Sequence, residues 1–143
     1  MTLVLLFGSF DILHAGHRAL FTEAKTYGDE LHVVVARDRT IEMIKGRPPY
    51  FSQEERQRHL DQEPLVDHVH LGAEGDKYAL ARSLAPTVIV LGYDQEAFIS
   101  GLMTEIATWP NPPRLVRARP FAPHRYKSSL LRAAREAGDV APN

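Results

Sequence analysis

The sequence predicts a doubly wound α/β domain: a five-stranded, mostly parallel sheet with helices on both faces. Five short apolar runs rich in branched residues alternate with stretches of helical spacing, the pattern of consecutive βαβ units. A chain of 143 residues has room for one such domain and little else. Neither an internal repeat nor a low-complexity linker interrupts the alternation, so residues 1–138 read as one domain and 139–143 as a flexible tail.

Leu3-Val4-Leu5-Leu6-Phe7 ends at Gly8 and reads as a strand buried on both faces. A helix is expected from about Gly16 to Tyr27, with Leu20, Ala24 and Tyr27 at helical spacing and Gly28 as its stop. Leu31 to Ala36 is the second strand. Asp38 is expected to cap a short helix carrying Ile41 and Ile44, which must end before Gly46-Arg47-Pro48-Pro49. Ser52 with Glu55 forms a capping-box pattern for a helix to about Gln62. Val66 to Leu71 is a weaker strand, Tyr78 to Leu84 a helix broken by Pro86, and Thr87 to Leu91 the fourth strand. A helix over roughly Glu96 to Thr108 places Phe98, Leu102, Ile106 and Trp109 in the core by spacing. Leu115 to Ala118 is the fifth strand, and Ser128 caps a last helix to Glu136.

Composition narrows the function. Net charge is −1, which argues against a broad basic footprint for nucleic acid. There is no cysteine, so disulfides, thiolate zinc sites and cysteine nucleophiles are excluded. Leu3 to Phe7 is too short to span a bilayer and lacks a basic leader. A cytoplasmic protein without membrane partners is the expectation.

Ligands of doubly wound sheets bind at the carboxyl ends of strands where strand order reverses. The loop after the first strand reads Gly8-Ser9-Phe10-Asp11-Ile12-Leu13-His14-Ala15-Gly16-His17. Gly8 permits a sharp exit from the strand, and Gly16 leaves space for a ligand near the backbone. His14 and His17, three apart across a helix start, face the same way. Helix N-termini favour anions, so two imidazoles there suit a phosphorus centre gaining negative charge. The competing readings are two structural histidines or half a zinc site, the latter lacking an obvious third ligand. Neither G-x-x-x-x-G-K-[ST] nor G-x-G-x-x-G occurs.

Ser9 to His17 resembles the (T/S)-x-D-x-x-H-x-G-H signature of the HxGH nucleotidyltransferase superfamily. That resemblance implies that His14 and His17 stabilise a pentacoordinate α-phosphate, with Gly8, Ser9, Phe10, Asp11 and Gly16 around the nucleotide. It implies that Lys45 joins the histidines as a catalytic group at the phosphates and that Arg56 touches the nucleotide. For the residues themselves, solvated surface charge is the alternative for Lys45, Arg47 and Arg56. Gly92-Tyr93-Asp94-Gln95, after the fourth strand, suits base or ribose recognition. Asp11 and Asp94 are the candidate carboxylates for a triphosphate-bound Mg²⁺; Asp11 capping the turn and Asp94 binding ribose or an amide are the alternatives. Arg125, Lys127, Ser128 and Ser129 form a second candidate anion site, resembling the superfamily's late serine/threonine pair, unless Ser128 is a plain N-cap. His32, His59, His68 and His70 show no convergent spacing and read as structural or exposed.

Within the superfamily the chain is most similar to archaeal-type FAD synthetases. The similarity rests on Asp11-Ile12-Leu13-His14, Val35-Ala36-Arg37-Asp38, Lys45-Gly46, Val66-Asp67, Leu91-Gly92-Tyr93-Asp94-Gln95 and Ser128-Ser129. It implies transfer of AMP from ATP to FMN with release of pyrophosphate, Mg²⁺ accompanying the triphosphate, and a homodimer. CTP with an alcohol phosphate such as glycerol 3-phosphate is the alternative. Glycerol-3-phosphate cytidylyltransferases, however, carry an Arg-Thr-x-Gly-Ile-Ser-Thr run that His124 to Ser129 does not reproduce. A nucleotide-binding module without turnover is the third reading. Cysteines found near the C-terminus of several such synthetases are missing here, and Pro110-Asn111-Pro112-Pro113 with Arg114, Arg117 and Arg119 is particular to this chain.

Overall fold

A computed structural model describes residues 2–76, 78–92 and 96–119. Five parallel strands, β1 (Leu3–Gly8), β2 (Glu30–Val35), β3 (His68–Leu71), β4 (Val88–Leu91) and β5 (Arg114–Arg117), form one sheet in the order β3-β2-β1-β4-β5. The chain builds outward from β1 through β2 to β3, then crosses back to lay β4 on the other side of β1. The strand order therefore reverses at β1/β4, and the crevice lies at their carboxyl ends.

The sheet is apolar on both faces because strand residues alternate sides. Val4, Leu6, Leu31, Val33, Val35, Val88 and Val90 point to one face, covered by α1 (Ala15–Lys25) through Phe21 and Ala24 and by α3 (Gln53–Asp61) through Leu60. Leu5, Val34, Ile89 and Leu91 point to the other, covered by α4 (Ala79–Leu84) and α5 (Glu96–Ile106) through Ala81, Leu102 and Ile106. Leu102, Ile106 and Trp109 are core, as their spacing predicts. Trp109 also donates its indole N–H to Glu105 Oε2 at 2.9 Å, which satisfies its one polar atom.

The five strands and the first five helices stand where the sequence places them; the differences lie in their ends. His14, not a residue near Gly16, is the N-cap of α1, and the helix stops at Lys25 with Thr26 as C-cap, so Gly28 is not its stop. The expected cap at Asp38 is corrected: α2 (Asp38–Lys45) has Arg37 as N-cap without a side-chain cap bond, and Asp38 is already helical. Its carboxylate is engaged elsewhere, by Arg56. Of the two isoleucines of α2, Ile41 is buried and Ile44 exposed. The capping box of α3 is present in full, Ser52 accepting from the Glu55 N–H and Glu55 from the Ser52 N–H. β3 begins at His68, two residues late, since the Val66 N–H closes a turn on Glu63. The expected helix after Ser128 and the tail lie outside the described residues. Among those described, no helix is long and apolar enough to cross a membrane.

Candidate active site

At the mouth of β1 the backbone leaves the sheet through a tight and strained turn. Gly8 has no room for a side chain: a Cβ there would stand 2.8 Å from the Phe10 ring. Phe10 itself has φ 47°, a left-handed conformation that costs a non-glycine residue roughly 1–3 kcal/mol. Burial of its ring against Phe21 offsets that cost. The turn delivers the chain to His14 at the start of α1.

His14 caps its own helix. Its Nδ1 accepts the Gly16 N–H at 3.0 Å, so a neutral ring carries its proton on Nε2. His17 lies one turn on, and the two rings come together with centroids 3.9 Å apart and planes at 32°. The edge contact of Phe10 on His17, at 5.5 Å, supports the pair from below. Burial, then the Arg18 guanidinium, lowers His14 from its ordinary 6.5 to about 4. Burial, then His14 and Arg18, lowers His17 to about 3. Both rings are therefore neutral at pH 7, chiefly because burial disfavours the charged form. The Nδ1 of His17 is buried and has no hydrogen-bond partner among the described residues. The first turn of α1 holds no acidic side chain, so its positive dipole end is uncompensated by carboxylate.

Two charged residues expected at the ligand, Asp11 and Arg56, bond to the framework around the crevice. Asp11 is buried, and its oxygens accept the Tyr50 N–H at 2.7 Å and the Phe51 N–H at 2.9 Å. Of its two sequence readings, Mg²⁺ ligand and turn anchor, these two bonds are those of an anchor, and each oxygen keeps a second lone pair. Arg56, expected at the nucleotide, is an internal clamp in this structure. It is fully buried and donates to the carbonyls of Phe51, Ser9 and Ala36 at 3.1, 2.9 and 2.7 Å. Its last bond, at 2.7 Å, is to Asp38 Oδ1. Arg56 thus ties the loops after β1 and β2 to the start of α2, while Asp11 ties the loop before α3 to the loop after β1.

The remaining expected residues divide as follows. The Phe10 ring belongs to the core, being 4% exposed. Ser9 and Gly8 are half-buried at the turn, and the Gly16 N–H is committed to His14. Lys45 is exposed in the last turn of α2, before Gly46 in a left-handed C-cap with φ 77°. Gly92 follows β4 at the opposite lip of the crevice and is half-buried. Tyr93, Asp94, Gln95, Arg125, Lys127, Ser128 and Ser129 lie outside the described residues.

The view that the other histidines lack convergence is also corrected. His32 and His68 are register partners on β2 and β3, and His32 Nδ1 lies 2.9 Å from His70 Nε2. The alternation Glu30-x-His32 and His68-x-His70 was the available signal: strand period puts each pair on one face.

These features define a nucleotide-type site on a doubly wound sheet, and comparison with known proteins agrees. The chain belongs to the cytidylyltransferase-like family, whose match spans residues 5–137. It is 38% identical over 117 residues to the FAD synthase of Methanosarcina barkeri (strain Fusaro / DSM 804), covering 82% of this chain and 83% of that one. It is 36% identical over 129 residues to the FAD synthase of Thermococcus sibiricus (strain DSM 12597 / MM 739), covering 90% and 84%. The crystal structure of a lipopolysaccharide core biosynthesis protein from Thermoplasma volcanium GSS1 superposes with a TM-score of 0.73 at 36% identity, over 85% of this chain and 98% of that one. The pantoate-beta-alanine ligase of Francisella tularensis, at TM-score 0.56 and 14% identity over 97% of this chain and 70% of that one, shares the fold alone.

Proposed function

We propose that this chain is an FMN adenylyltransferase, joining AMP from ATP to the phosphate of FMN and releasing pyrophosphate. The observation that carries the chemistry is the pair of neutral imidazoles 3.9 Å apart at the start of α1. The acceptor comes from the FAD synthase relatives, whose likeness runs through most of the chain.

In this reading a phosphate oxygen of FMN attacks the α-phosphorus of ATP in line. The new P–O bond forms as the bond to the β-phosphate oxygen breaks, and that oxygen leaves with pyrophosphate. The attacking phosphate is already anionic, so no side chain has to remove a proton. His14 Nε2–H and an N–H of His17 donate to the non-bridging oxygens, where charge accumulates. The dipole end of α1 adds to the same field. Lys45, Arg125, Lys127, Ser128 and Ser129 receive the departing pyrophosphate, and Gly92 with Tyr93, Asp94 and Gln95 meets the base and ribose. The divalent cation belongs to the substrate as the metal–triphosphate complex. In this reading Asp11, whose oxygens accept the Tyr50 and Phe51 N–H groups, serves as the anchor of the loop. A homodimer in the cytoplasm completes the reading, with light scattering against the 16.1 kDa chain as its check.

Pyrophosphate release measured with ATP or CTP, each against FMN and glycerol 3-phosphate, tests the assignment. Turnover with ATP and FMN, yielding FAD, is the expected result. Turnover confined to CTP and glycerol 3-phosphate would reassign both substrates, and nucleotide binding without any turnover would remove the enzyme.

A further inference from the structure

On the face of the sheet covered by α4 and α5, at the β2/β3 edge, four polar side chains converge where the rest of that face is apolar. Glu30 and His32 alternate along β2, and His68 and His70 along β3, so all four project to one side. His32 is 7% exposed and lies between the other two rings, 4.5 Å from His68 and 5.2 Å from His70 by centroid. The Glu30 carboxylate reaches both neighbours, with Oε1 3.3 Å from His32 Nε2 and Oε2 4.0 Å from His68 Nε2. One ligand atom from each of Glu30, His32 and His68 lies within 4.8 Å of the other two.

We propose that Glu30, His32 and His68 form a binding site for one divalent transition ion, Zn²⁺ by its donor set, separate from the nucleotide site. Two imidazole nitrogens and a carboxylate oxygen suit Zn²⁺ and leave a fourth position for water. Ligand atoms around tetrahedral zinc stand about 3.3 Å apart. The Glu30–His32 distance already meets that spacing, and the 4.0 Å to His68 closes by a small rotation of a side chain that is 54% exposed. His70 supplies what a metal-binding histidine requires of its far nitrogen. With His32 Nε2 on the ion, its Nδ1–H donates to His70 Nε2 at 2.9 Å, fixing tautomer and ring plane.

The site joins two strands that are 36 or more residues apart in sequence, one of them the four-residue edge strand β3. An ion there staples the edge of the sheet. His32 is three residues upstream of the carboxyl end of β2, roughly 10 Å from the level of the catalytic mouth. Occupancy therefore acts on stability and not on the reacting phosphates.

Tag-free full-length protein, stripped with chelator, is titrated with Zn²⁺ by calorimetry and with Co²⁺ by visible absorption. The expected result is one ion per chain, tetrahedral-type Co²⁺ bands, and a melting temperature raised by about 5–10 °C at a hundredfold excess over Kd. Glu30→Gln and His68→Gln, both at partly exposed positions, should each weaken binding at least about tenfold, and His70→Gln by about tenfold through loss of the outer hydrogen bond. Circular dichroism verifies that these variants fold, and pyrophosphate release should be unchanged in His68→Gln, which separates this site from the nucleotidyl-transfer reading. Saturable binding no tighter than about 100 µM, or affinity that persists in Glu30→Gln/His68→Gln and disappears in His14→Ala/His17→Ala, would overturn the proposal.

Discussion

His14 and His17 act as hydrogen-bond donors whose neutrality is set by burial, with neighbouring charge second. Removing one such donor typically raises a barrier by about 2.7–4 kcal/mol, so His17→Ala should lower kcat roughly a hundred- to a thousandfold in a protein that still folds. Steady-state pyrophosphate release, with circular dichroism as control, measures it. Unchanged turnover would remove His17 from the chemistry. Free-enzyme values near 4 and 3 also mean that neither ring titrates between pH 5 and 8. Imidazole resonances of both should stay constant over that window in NMR, and a midpoint near 6.5 for either would contradict its burial. Asp11→Asn discriminates the two readings of that carboxylate. An amide cannot accept two N–H bonds on separate oxygens, so the Tyr50 and Phe51 amides should lose exchange protection and the KM for ATP should rise. If Asp11 anchors the loop, the Mg²⁺ concentration for half-maximal rate stays put; a severalfold shift would restore the metal role.

Arg56 shows how the connections between strands and helices are kept in place. Loops that carry function are held by few contacts, and here one guanidinium supports three of them through Ser9, Ala36 and Phe51 carbonyls and Asp38. Arg56→Met should destabilise the fold by on the order of 3 kcal/mol, because three carbonyls and a carboxylate lose their donor in a site closed to water. Urea unfolding gives the number, and a loss below about 1 kcal/mol would mean that water or a neighbour replaces the clamp. Arg56→Lys should recover little, since a single ammonium cannot reproduce the fork. The capping box Ser52–Glu55, one turn from Arg56, was readable because it is local: both partners lie within four residues. The bonds of Arg56 itself were not readable, because its three carbonyl partners depend on how β1, β2 and α3 pack.

The lowered histidines couple the site to the stability of the domain. Between pH 6.5 and the folded values near 4 and 3, the unfolded chain holds more protons on these two residues than the folded one. Their contribution is therefore fully present above about pH 6.5 and is lost as the pH falls through the folded values. Urea midpoints should decline from pH 7 to pH 4, and His14→Gln/His17→Gln should decline less steeply. Equal slopes for the two proteins would deny the coupling.

Period and punctuation in the sequence are sufficient for the order of strands and helices, the two apolar faces of the sheet and the histidine motif at the crevice. All of these arise from residues close in the chain: alternation of two, spacing of three or four, a glycine at a strand end. Register between β2 and β3, which brings His32 beside His68 and His70, is not written in either strand. Neither is the burial of Arg56 and Asp11, two charged residues whose partners come from other loops. Such placements follow from packing the helices onto the sheet, where a polar group can be buried only if distant segments supply its hydrogen bonds. That condition is met or missed in three dimensions, and only the folded chain decided it.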